Sequence, residues 1–424
     1  MVWQTASKGI TRVQAAGQSD DHSAPVRHRK VFYIPGFDPA PPRRYRELYR
    51  KEAKAQAVIS GYSIEMGARQ SKHGFGWSVT AIMDGHEVRT EFEVLVWSDI
   101  VRGSMDPGIA ATYLQLVRTT WVYIASGALF RLMRLRKGPV IAALYPIVVL
   151  LLQLLVAALV AISMAKMAVW VSPGSMAVGF GVVFGVIAGG LILRAFRAYD
   201  HRLFAYYLMH DYAFSAQGGG AYPTALEGRM AEFGQIIGSG LGEGFDEVLV
   251  VGHSSGAHLA VSILADLIRG GLPDARPALG FLSLGQVVPM VSFLPDARRL
   301  RGDLHYLCTR DELTWVDVTA PGDGCAFALC DPVAVTGVAA SGKRWPLVIS
   351  AAFTQTLSPA RWKALRWRFF RLHFQYLCAF DRPGIYDYFR ITAGPQTLAA
   401  RFAGCQPSKS RIETPTSAYT SRVT

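Results

Sequence analysis

The residues best suited to chemistry lie in Val248-Leu249-Val250-Val251-Gly252-His253-Ser254-Ser255-Gly256-Ala257-His258-Leu259-Ala260. Four apolar residues lead into Gly-x-Ser-x-Gly, and a helix-forming run, Ala257 to Leu267, leads out. A strand turning this sharply into a helix holds its central residue in a strained conformation. Glycines two positions to either side let the chains pass without Cβ clashes. The strain lifts the Ser254 hydroxyl clear of the sheet, where a histidine can reach it from one side and a carbonyl carbon from the other. The chemistry implied is nucleophilic attack on an acyl group. A serine hydroxyl is a poor nucleophile until an imidazole takes its proton, and a carboxylate must hold that imidazole.

Elements that could position such a site surround it. Lys30 to Pro39 is a β-rich run ending in a Gly/Pro turn, and Tyr45 to Ala57 has helical spacing. Trp77 to Met83 and Val88 to Trp97, separated by Asp84-Gly85, read as a hairpin. Thr224 to Ile237 is again helical, followed by the Ser254 strand and helix. Alternation of this kind predicts an α/β fold, a mostly parallel sheet with helices on both faces.

With these elements in order, the chain resembles the α/β-hydrolase superfamily, in its lipase and esterase branches. The resemblance covers the element order over residues 30–110 and 200–395, with the serine turn as its specific motif. It implies an oxyanion hole of two backbone N–H groups, from Ser255 and from Phe37 in the Pro35-Gly36-Phe37-Asp38 turn. It also implies the chain order Ser, then acid, then His. Only His258, His305 and His373 follow Ser254. His258 lies four residues along the same helix, pointing away from the hydroxyl. His305 is expected in or beside a strand, ahead of the best acid. His373 falls where the last strand-to-helix loop should be and is the chosen base, although Trp362 to Tyr376 also reads as one continuous helix. For the acid, Asp323 sits on a Gly-flanked turn after the strand Leu313 to Thr319 and leads, followed by Asp331, then Asp317 and Asp296. Asp323-Gly324 is also ordinary turn chemistry. The strand and turn at Leu282 to Gln286 receive no chemical role.

An insertion interrupts the fold. Gly138 to Ala165 has no charged residue, Lys166 follows, and a second uncharged stretch runs from Met167 to Leu193. About 20 apolar residues suffice to cross a bilayer, so a two-helix transmembrane hairpin is expected, with spans near 139–165 and 173–193. Trp170, Ser172, Pro173 and Gly174 would form its far turn. Arg131, Arg134, Arg136 and Lys137 precede the spans, and Arg194, Arg197 and Arg202 follow them. The positive-inside bias places both ends, and the attached domain, in the cytoplasm, with a bacterial inner membrane as the expected location. Gly181, Gly185 and Gly189 form a small-residue face for packing on the first span or for a homodimer contact. Residues 110–135 form an amphipathic helix that either lies in the membrane plane or packs on the domain.

The expected organisation is therefore a disordered tail at 1–29, a first hydrolase segment at 30–120, and the amphipathic helix with the hairpin at 121–200. A second hydrolase segment, carrying the catalytic residues, spans 201–405, and another disordered tail covers 406–424. Charged residues make up only 18% of the chain and the net charge is +13. With a mean hydropathy of +0.22, that balance favours an anionic lipid surface over nucleic acid, for which no binding motif is present. Five scattered cysteines read as reduced, buried thiols. No metal spacing, nucleotide loop or flavin fingerprint occurs, so no cofactor is expected. The function expected is cleavage of an ester or thioester, lipid-like because of the anchor. A non-catalytic membrane scaffold retaining the fold is the rival class. A transporter is a weaker third, since neither uncharged stretch holds an ionisable residue.

Overall fold

The computed structural model describes residues 24–67, 74–105, 108–171 and 175–423. Eight strands form one sheet: β1 (His28–Ile34), β2 (Ser63–Met66), β3 (Phe75–Met83), β4 (His86–Val94), β5 (Glu247–His253), β6 (Ala278–Leu284), β7 (Thr314–Thr319) and β8 (Leu347–Ser350). Their order is β2-β3-β4-β1-β5-β6-β7-β8. Pairing is parallel from β4 through β8 and antiparallel only at the β2-β3-β4 edge. The hairpin read from Asp84-Gly85 is β3-β4, and both turn residues have positive φ (51° and 79°).

The central strands are apolar on both faces because both are covered. Val31 and Tyr33 of β1 point into one core cluster, with Leu249 and Val251 of β5. Phe32 and Ile34 point into the other, with Val248 and Val250. Helix α1 (Arg43–Ser60) covers the first face through Tyr45, Tyr49 and Ala53.

Between β4 and β5 the chain forms α2 (Ser98–Ser104), α3 (Ile109–Ala125), α4 (Ala128–Leu135), α5 (Lys137–Val171), α6 (Ser175–Ala198), α7 (Asp200–Leu203), α8 (Ala205–Ala216) and α9 (Thr224–Leu241). Further on come α10 (Ser255–Arg269), α11 (Val288–Ser292) and α12 (Arg298–Leu307). Helices α9, α10 and α12 cover the second face. Helices α5 and α6 are long and apolar enough to cross a membrane, and their large side chains, such as Leu155, Leu159, Phe180 and Phe184, are exposed. The expected far turn at 172–174 lies outside the described residues.

Several expectations change. The face of Gly181, Gly185 and Gly189 packs on the first long helix, α5, where Ala165, Ala161 and Ala157 abut it. The single helix expected over 110–135 breaks at Gly127, whose φ is 70°. Its two halves bury Leu116, Tyr123, Leu132 and Leu135 while leaving Leu114, Val117, Trp121 and Phe130 exposed, so it packs with one face and offers an apolar second face.

The 406–424 stretch expected as a disordered tail instead runs along the domain. Ser408 N–H donates to Val348 O (2.8 Å), Ile412 N–H to Leu329 O (2.7 Å), and Arg301 Nε to Ser421 O (2.7 Å). Backbone pairing holds it where composition suggested freedom. Of the 1–29 tail, residues 1–23 lie outside the described residues, Val26 is already buried, and β1 begins at His28. His305 lies in α12, not in or beside a strand.

Candidate active site

Ser254 joins β5 to α10 with φ 56° and ψ −121°. This is a sparsely populated region that costs a non-glycine residue about 1–3 kcal/mol and persists only where the surroundings enforce it. The enforcement is steric. A Cβ on Gly252 would sit 2.8 Å from Ala257 Cα, and one on Gly256 would strike the Ile34 carbonyl of β1. The Ser254 N–H donates to Leu284 O at 2.9 Å, pinning the turn to β6. Ser254 is half-buried amid otherwise buried neighbours.

Asp323 follows β7 and is buried, as is His373. His373 Nδ1 lies 2.7 Å from Asp323 Oδ2, which leaves Nε2 as the ring nitrogen available to take a proton. Tyr376 OH donates to the same Oδ2 at 3.0 Å, and Cys325 N–H donates to Oδ1 at 2.9 Å. Burial alone would raise this carboxyl. The charge and hydrogen bond of His373, with the Cys325 and Tyr376 donors, hold it below its ordinary value instead. Asp323 therefore stays ionised while buried, as the orienter of an imidazole must. The continuous helix read over 362–376 is broken into Pro359–Leu365, Phe369–His373 and a 3₁₀ turn, Phe374–Leu377. The break lets His373 face Asp323.

Ser254 and His373 line one cavity of about 70 Å³, together with Gly36, Phe37, Ser255 and Asp211. Phe37 and Ser255 are thus beside Ser254. Ser255 opens α10, where first-turn N–H groups have no intrahelical acceptor. The Phe37 carbonyl accepts a hydrogen bond from Tyr207 OH, which fixes that peptide.

The remaining candidates serve elsewhere. Asp331 caps the helix Pro332–Thr336 and pairs with Lys343 at 2.6 Å. Asp317 accepts from Ser283 Oγ inside the sheet. Asp296 is at the surface, its N–H bonded to Gly219 O. His258 Nδ1 lies 3.0 Å from Tyr222 OH, and His305 Nδ1 lies 2.8 Å from Val338 O.

Four contributors escaped the sequence. His253 hydrogen-bonds through Nε2 to the His373 carbonyl at 3.1 Å, and burial with the nearby His373 lowers it to about 3. It is a neutral donor tying the serine strand to the segment that carries His373, and its place inside the motif was the available signal. Tyr376, three residues after His373, steadies Asp323. Tyr207 and Asp211 arrive from α8, which no spacing connects to Ser254. Burial pushes the Asp211 carboxyl up to about 7.

Asp323, Cys325 and His373 hold donor atoms within 4.8 Å of one another. The set suits a triad better than a cation: Asp323 Oδ2 is already engaged by His373 and Tyr376, and burial raises the Cys325 thiol well above its usual range, keeping it protonated. All five cysteines are free; Cys308 and Cys330 are buried, and the other three only partly so. Comparisons with protein-family models, with curated proteins and with solved structures gave no match.

Proposed function

We propose that the protein is a membrane-anchored serine hydrolase of the α/β-hydrolase type, cleaving an ester or thioester with a lipid-like acyl group. The observation that carries this reading is a strained serine sharing one cavity with an imidazole locked onto a buried, ionised carboxylate. Ser254 Oγ attacks the carbonyl carbon as its proton passes to His373 Nε2. The tetrahedral oxyanion is held by the N–H groups of Phe37 and Ser255, each such donor being worth about 100- to 1000-fold in rate. Collapse expels the alcohol or thiol, which takes the proton from His373. Water, deprotonated by His373, then attacks the acyl-serine and releases the acid.

Helices α5 and α6 support the anchor, because their apolar side chains face outward and suit lipid. The exposed apolar side of α3 and α4, with Arg118, Arg131 and Arg134 nearby, suits the bilayer surface. Orientation of the domain toward the cytoplasm rests on the cations flanking the two helices.

The test uses purified full-length protein in nanodiscs. Wild type should hydrolyse p-nitrophenyl butyrate and be labelled by a fluorophosphonate probe, and Ser254→Ala should lose both. Unchanged turnover in Ser254→Ala, or no labelling of the wild type, would sink the reading and favour a scaffold.

A further inference from the structure

A second, much larger cavity of about 1050 Å³ lies between α1 and the helices Pro359–Leu365 and Phe369–His373. It adjoins the serine cavity, with Asp38, Tyr207, Phe370 and Phe374 lining both. Its wall is apolar where Leu48, Phe204, Leu365 and Phe370 meet. Its cations are Arg44, Lys51, Arg361, Arg368 and Arg371, against the carboxylates Asp38, Glu47 and Glu52.

Those carboxylates are occupied. Asp38 accepts from Arg44 (2.9 Å), Tyr45 OH (2.8 Å) and Ala40 N–H (2.9 Å). Glu52 accepts from Ala379 N–H (3.1 Å) and lies near Lys51 and Arg361. Glu47 pairs with Arg50 at 2.7 Å. Among the described residues, no carboxylate lies within ion-pair distance of Arg368 or Arg371, so the cavity carries uncompensated positive charge beside an apolar wall.

Phe204, in the cavity wall, follows α7, which comes directly after α6, and its ring lies 4.8 Å from that of Phe370, tilted by 46°. Trp367, 72% exposed, and the exposed Phe369 flank the cavity-lining Arg368 in the chain, with the Arg366 guanidinium 5.6 Å from the Trp367 ring centroid, an aromatic-basic composition suited to a headgroup layer.

We infer that this cavity binds a phosphate-bearing amphiphile, with its phosphate on Arg368 and Arg371 and its chain along Phe204, Leu365 and Phe370. Guanidinium groups recognise phosphate oxygens in pairs, and the wall excludes water from the chain. Where the hydrolase reading holds, this amphiphile is the substrate, its acyl bond reaching Ser254 past Phe370 and Phe374. The phosphate comes either from a membrane lipid or from a soluble phosphorylated thioester.

Binding is measured without turnover, on Ser254→Ala protein in phosphatidylcholine nanodiscs, by equilibrium dialysis. Probes are oleoyl lysophosphatidic acid, palmitoyl-coenzyme A, mono-oleoylglycerol and glycerol phosphate. Tight binding of either phosphorylated chain supports the inference, and the tighter one identifies the source. Mono-oleoylglycerol and glycerol phosphate should each bind at least about tenfold more weakly. Arg368→Ala/Arg371→Ala should lose about tenfold per arginine, and Arg368→Lys/Arg371→Lys should recover part of it. Equal affinity for mono-oleoylglycerol and the lysophosphatidic acid, or unchanged binding in the double alanine variant, overturns the inference. Such a result leaves the Ser254 chemistry intact. Conversely, preserved binding in a protein without Ser254-dependent turnover removes the hydrolase and keeps the site.

Discussion

Gly36→Ala perturbs the nucleophile without removing any group that carries a proton. A Cβ built on Gly36 lies 2.9 Å from Ser254 Cβ, 3.3 Å from Ser254 Oγ and 3.3 Å from the His253 carbonyl oxygen. Comfortable carbon-carbon contact begins at about 3.5 Å, so something must retreat by roughly 0.6 Å or more. Neither side yields easily. The Ser254 N–H is bonded to Leu284 O, and Gly256 is wedged against the Ile34 carbonyl just before the Gly36 turn. Ser254 is therefore pushed relative to His373 and to the backbone N–H groups of Phe37 and Ser255. Overpacking of this kind costs about 1–3 kcal/mol of stability, and misplacing reacting atoms by about 1 Å costs about 100-fold in rate. The assay is kcat/KM on p-nitrophenyl butyrate beside thermal unfolding monitored by near-UV circular dichroism. Gly234→Ala in α9 is the control, since its Cβ would meet nothing within 4 Å. It should gain about 0.5–1 kcal/mol and keep its rate. A Gly36→Ala protein that folds and turns over like wild type would refute both the packing argument and the placement of the site.

Two further outcomes follow from the same geometry. Tyr376→Phe removes a donor from Asp323 Oδ2 and strands the Ala320 N–H, which donates to Tyr376 OH at 3.0 Å. It should cost about 1–3 kcal/mol of stability and lower kcat roughly tenfold at similar KM, and wild-type kcat would show that Asp323 does not need this support. Burial pushes the Asp317 carboxyl up to about 8, so its contribution is fully present below the unfolded carboxylate value of about 3.9 and is lost as pH rises through about 8. Asp317→Asn should therefore gain in Tm over wild type from pH 5 to pH 9, and a difference that stays constant across that range would contradict the assignment.

How far the chain could be read varies with the range of the interactions involved. The serine turn, the β3-β4 hairpin and the long apolar helices were legible because each is encoded by neighbours: glycines at fixed offsets, Asp84-Gly85, and uninterrupted hydropathy. Asp323 and His373 were reachable only through chain order, since 50 residues separate them. Strands β2 and β8 are four residues long, too short for a periodicity to register. The 406–424 segment misled because its composition is that of a free tail, whereas its backbone finds partners on β8 and near Arg301.

By itself the sequence determined which residue is strained, which segments are long and apolar enough to cross a membrane, and that strands and helices alternate, because those are properties of local sterics and of transfer from water. Only the tertiary structure decided that His253 would brace His373, that Asp211 and Tyr207 would enter the serine cavity, and that five cations from α1 and the 359–373 segment would share one hollow. These are contacts between segments distant in the chain, and no local pattern carries the free energy that selects them.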